Sequence, residues 1–86
     1  MSETPLQSFV RGALQLSPFP RTVGDLTNRA IEIGVLPESH RGARGSRQVW
    51  FCIKTLMDSQ RVVEAGVTKL GIPQYAWKKP HNGAAQ

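Results

Sequence analysis

The apolar residues of this chain change their spacing near residue 60, and that change limits what the chain can fold into. Up to Gln60 they recur three and four apart, the spacing of one helix face. Beyond it, Val62-Val63 and Tyr75-Ala76-Trp77 suit extended backbone, with Tyr75 and Trp77 on one face. Helices followed by a pair of strands predict an α+β fold, three helices and then a C-terminal β-hairpin. The 86 residues leave room for a single domain spanning 1–86, with an ordered core over about 4–79 and a polar tail at 80–86. A chain of this size buries only about 60–65% of its unfolded surface. Few apolar side chains are left over to line a deep substrate pocket.

Punctuation fixes the helices. Thr4, Pro5 and Gln7 supply a cap, a proline at the first helical position and a capping-box partner. Leu6, Phe9, Val10, Ala13 and Leu14 then predict a helix from Pro5 to Leu16, ended by Pro18 and Pro20. Thr22 caps a second helix, with Asp25 at its positive end, and Gly34 stops it. Its apolar stripe is Val23, Leu26, Ala30 and Ile33. Residues 36–45 read as a loop, in which Gly42, Ala43 and Gly45 let the backbone beside Arg41 and Arg44 approach a partner. The bland alternative is a mobile basic loop with no partner. Ser46 is read as the cap of a third helix running to about Gln60. Val49, Ile53, Leu56 and Met57 form its core face, with Cys52 at the margin. Arg47, Lys54, Thr55, Asp58 and Phe51 fall on the far side. Trp50 lies at the boundary and is read as core. An exposed Phe51 has three uses open to it: a base, a partner protein or another element of the chain.

Charge is segregated along the chain. The overall balance is +5; residues 1–38 carry −1 and residues 39–86 carry +6. That pattern favours a polyanionic partner over a merely solubilising surface. Cys52 is the single cysteine, so an internal disulfide is impossible and a cysteine-based zinc site is not expected. No apolar run is long enough to span a bilayer, and Met1–Glu3 lacks the order of a secretory signal. The expectation is a cytoplasmic protein without a membrane partner.

The segment RVVEAGVTKLGIPQYAWKK, residues 61–79, follows the third helix directly. It has a short strand, a glycine-containing loop over 65–73 and an aromatic strand ending in bases. With the order helix, extended link, helix, helix, strand, loop, strand, it resembles the winged helix-turn-helix family of DNA-binding domains over residues 4–79. The connection between helices two and three is longer than that family's usual tight turn. The resemblance implies that helix three enters the major groove and the hairpin touches the neighbouring backbone or minor groove. Arg47 would then meet a guanine and Gln48 an adenine. Lys69, Lys78 and Lys79 would neutralise phosphates. Arg41 and Arg44 would do so at the head of helix three, where Ser46 sits and free backbone N–H groups favour an anion. Taken singly, each of these cations is as readily a solvated surface charge.

Other function classes fit less well. His40 and His81 stand in no catalytic or metal-ligand spacing, and HRGARG at 40–45 lacks the Lys-Ser/Thr ending of a phosphate cradle. Neither an enzyme nor a cofactor is expected. The strongest alternative is a protein-interaction module on the same fold, such as a phage-type inhibitor of an acidic host protein. RNA binding through the basic loop ranks third, because the aromatic-rich sheet of common RNA modules is missing. Burial of Phe51 separates the first two readings. A buried Phe51 beside exposed Arg47 and Lys54 favours double-stranded DNA. An exposed Trp50–Phe51 patch favours protein. A sequence-specific regulator of this size would act as a homodimer or with a partner.

Overall fold

A computed structural model describes residues 3–78. The elements in order are α1 (Pro5–Leu16), α2 (Val23–Glu32), a short 3-10 helix (Glu38–His40), α3 (Ala43–Asp58), β1 (Val62–Val67) and β2 (Pro73–Trp77). The α+β layout of three helices and a C-terminal antiparallel hairpin is as the sequence predicts.

The N-terminal ends of α1 and α2 are fixed by reciprocal capping boxes, Thr4 with Gln7 and Thr22 with Asp25. Each uses one side-chain oxygen for a helix N–H that would otherwise lack an acceptor. α2 ends in a Schellman turn. Gly34, at φ 82°, donates to the Ile31 carbonyl at 3.1 Å, and Val35 donates to the Ala30 carbonyl at 2.8 Å. α3 ends the same way on Gln60 at φ 63°, a left-handed conformation that a side chain makes less favourable. Gln60 donates to Met57 and Arg61 to Leu56, which aims the chain straight into β1.

The core joins all the long elements. Val10 and Leu14 of α1, Leu26 and Ala30 of α2, Val49, Cys52 and Ile53 of α3, and Val62 and Tyr75 of the hairpin pack together with Leu36. In the hairpin Val62 pairs with Trp77, Val63 with Ala76 and Glu64 with Tyr75; the register then shifts before Val67 meets Pro73. The outer edge of β2 is covered at one point. Arg21 donates to the Tyr75 carbonyl at 2.8 Å, and Tyr75 donates to the Arg21 carbonyl at 2.7 Å. This two-bond bridge makes the link between α1 and α2 a one-residue third strand.

Three sequence expectations need correction. α3 begins at Ala43, not after Ser46, and Gly42 occupies its cap position without a side-chain cap. Ser46 is inside the first turn, where its N–H donates to the Gly42 carbonyl at 3.0 Å. The segment 36–45 is therefore not a loop throughout. Leu36 is buried, Glu38–His40 form the 3-10 helix, and the last residues belong to α3. Gly45 does not offer its backbone to a partner; a Cβ there would meet the His40 carbonyl and touch Thr27 Cγ2 at 3.0 Å. The glycine is needed because α3 passes this close to the 3-10 helix. The hairpin tip is also shorter than the 65–73 expected, because β1 continues through a bulge to Val67. Gly66 absorbs that irregularity at φ 127°.

Gly12 lies within α1, and a Cβ there meets nothing within 4 Å. Gly12→Ala is expected to stabilise the fold by about 0.5–1 kcal/mol through helix propensity alone. Thermal unfolding should show the midpoint rising by roughly 2–8 °C. An unchanged or lowered midpoint would mean that the space beside Gly12 is needed.

Candidate nucleic-acid interface

The outward face of α3 is set by its inward one. Gly45, Val49, Cys52 and Ile53 are buried, so the opposite side of a 3.6-residue helix carries Arg44, Arg47, Phe51, Lys54 and Asp58, all exposed. Arg44 and Lys54 lie about 15 Å apart along the axis at about 1.5 Å per residue. Lys54 is partly answered by Asp58 at 3.8 Å. Arg44 and Arg47 form no ion pair among the described residues.

Their location disfavours a purely structural role. Arg44 stands in the first turn of α3, next to the positive end of the helix dipole, where a cation costs about 0.3–1 kcal/mol. That first turn holds no acidic residue, and no side chain caps its N–H groups. Arg41 stands just ahead of it. The Glu38 carboxylate accepts from Arg41 Nη2 at 2.8 Å, and this pairing pushes the guanidinium pKa further up.

Side chains expected to read bases divide into free and engaged. Gln48 is half-buried on a flank of α3, with its Oε1 at 3.2 Å from His40 Nδ1. Its adenine contact is thus in competition with an internal bond. Thr55 donates its hydroxyl to the Phe51 carbonyl at 3.0 Å. Ser46 is half-buried. Lys78 follows β2 directly, its N–H donating to the Arg61 carbonyl at 2.7 Å, and its side chain is exposed. Lys69 sits exposed in the hairpin turn. Thr68 builds that turn, its hydroxyl accepting from Leu70 and Ile72 N–H groups at 3.2 Å each. Lys79, His81 and the tail 80–86 lie outside the described residues. Sequence reasoning missed Arg21, whose backbone ties the hairpin to the helices; the only signal was an extended link before Thr22.

Of the two aromatics of α3, Phe51 lies within the basic face and Trp50 at its edge. Phe51 is 64% exposed. Trp50, expected in the core, is 37% exposed and packs only its inner side against Tyr75, ring centroids 5.6 Å apart. Tyr75 itself is buried in the core. Cys52 is buried, and burial pushes its thiol pKa up, away from the reactive thiolate form. The Tyr75 phenol is raised by burial first and by the Glu64 charge second.

Two clefts mark the surface. The larger, about 670 Å³, runs between α1 and α2 past Phe9, Leu16 and Ile33, and its charged rim mixes Arg21 and Arg29 with Asp25 and Glu32. The smaller, about 460 Å³, lies beside Phe51 and is lined by Leu6, Val35, Pro37 and Gln48. Only the smaller adjoins the basic face. Among the described residues no three metal-ligating side chains converge, and no helix is long and apolar enough to cross a membrane. Comparison with known protein families, with characterised proteins and with solved structures finds no match to this chain.

Proposed function

We propose that this protein binds double-stranded DNA through the outer face of α3 and the hairpin, in the manner of a winged helix-turn-helix regulator. The observation that carries the reading is the unpaired pair Arg44 and Arg47 on an exposed helix face whose own stability they do not serve. The element order, with the Arg21–Tyr75 bridge as a minimal first strand, supports it. Arg41, Arg44, Lys69 and Lys78 serve phosphates; Arg47 and Lys54 face the groove. A module this small spans few base pairs, so selective regulation calls for a homodimer or a partner protein.

Arg44→Ala/Arg47→Ala tests this directly, by titration of a random-sequence duplex. Each neutralised phosphate adds about 0.9 to the salt slope, so loss of the Arg44 contact should flatten the slope by about 0.9 and weaken binding roughly eightfold near about 0.1 M salt, and loss of the Arg47 groove contact should weaken it further. Both side chains are exposed, so the fold is expected to stand. Absence of binding by the unaltered protein at low salt would overturn the proposal.

One observation favours a second reading. Phe51 is exposed, not buried, and a shallow cleft adjoins it. By the criterion set from the sequence, that patch suits a protein partner, and the basic flanks would select an acidic one. DNA is preferred because Phe51 does not stand in a continuous apolar patch with Trp50; Arg47 and Lys54 come between them around the helix.

A further inference from the structure

The face of α3 that carries the proposed DNA contacts holds one large apolar side chain at its middle. Phe51 follows Arg47 by four residues and precedes Lys54 by three, so its Cβ lies about 5–6 Å from each on the helix surface. It is 64% exposed, and the smaller cleft meets only its inner flank. Other groups nearby are engaged: Gln48 with His40, Thr55 with the Phe51 carbonyl, Lys54 with Asp58. Phe51 therefore stands along the helix between two cations, and the described residues leave most of it uncovered.

We infer that Phe51 is a specificity-determining residue that packs on the C5-methyl group of thymine in the major groove. This rests on the DNA reading proposed above. The reasoning is chemical. The thymine C5-methyl is the one alkyl group that base edges present in the major groove; the other groups there are mainly hydrogen-bond donors and acceptors. An aromatic ring carried into the groove between Arg47 and Lys54 desolvates polar edges at a cost wherever it meets guanine, cytosine or adenine. Against thymine it buries apolar surface on both sides. Wedging between base steps is the minor-groove use of such a side chain, and a helix in the major groove does not present it that way.

The test removes the methyl and nothing else. Two duplexes of one alternating A·T sequence are compared, one with thymine and one with uracil throughout. The unaltered protein is expected to bind the thymine duplex about fourfold more tightly for each methyl that Phe51 covers, the ratio for one buried carbon unit of about 0.8 kcal/mol. Phe51→Ala should bind both duplexes equally, and Phe51→Leu should keep part of the preference. Equal binding by the unaltered protein would overturn the inference while leaving the DNA reading standing. A preference that survives in Phe51→Ala would also overturn it, because the duplex shape would then be what is read. Failure of both duplexes to bind at low salt removes the reading beneath it as well.

Discussion

Raising monovalent salt from about 50 to about 200 mM is expected to weaken binding to a random-sequence duplex by roughly 250- to 1,000-fold. The size follows from the cations that the fold leaves on its surface. Arg41, Arg44, Lys69 and Lys78, the described cations assigned to phosphates, are all exposed, and with Lys79 about five phosphate contacts give a log–log slope of about −4 to −5. Over that salt range the slope amounts to about 3–4 kcal/mol. The measurement is an equilibrium titration at several salt concentrations. A slope near −2 would restrict the interface to about two phosphate contacts. A slope near zero would remove the polyanion altogether and turn attention to an acidic protein at Phe51.

The second large effect is on stability, and it pairs two neighbours in α3. Ile53 is fully buried, whereas Phe51, two residues earlier, is 64% exposed. Ile53→Ala leaves a cavity in the core that Ile53 shares with Val10, Leu14, Val49 and Val62 and is expected to cost about 2–5 kcal/mol. A domain of this size has a total on the order of 5–10 kcal/mol, so the loss is a large share of it. The melting midpoint should fall by roughly 10–30 °C. Phe51→Ala, although it removes a larger side chain, should cost under about 1 kcal/mol, because most of that ring is already in water. Paired thermal melts of the two variants check the facing of α3. Comparable losses would mean that α3 is rotated from the orientation described, and the groove-facing assignment of Arg47 and Lys54 would fail with it.

Local chemistry made the first two helices legible. Thr4-Pro5 with Gln7, Thr22 with Asp25, and Gly34 are signals whose effect is complete within a turn of chain, and each acts as its residue type predicts. The inward face of α3 was equally plain, because Val49, Ile53, Leu56 and Met57 keep a single helical phase. What the sequence hid depends on contacts between distant segments. Gly45 looks like a flexible loop residue until the His40 carbonyl is placed against it. That contact lets α3 start early, leaving Ser46 no cap to make. Trp50 sits near the core boundary by helical phase, and its contact with Tyr75, far along the chain, could not be read from local spacing. Of the proposed interface, the charges and the outward phase of Phe51 were visible beforehand, while its exposure was left open. The engagement of Gln48 by His40 was not, since nothing in their spacing announces it.

The Arg21–Tyr75 bridge has a consequence for how the chain is made. Synthesis runs from the N-terminus, so Arg21 is joined long before its two backbone partners exist. Val10 and Leu14 likewise wait for Val62 and Tyr75 to cover them. At about 5–20 residues per second, a ribosome takes roughly 3–10 s to travel from Arg21 to Tyr75. During that interval the nascent helices are a wedge open along its apolar side. The hairpin acts as a clasp, and a chain stalled anywhere before β2 offers that open side to a chaperone or to a neighbouring chain.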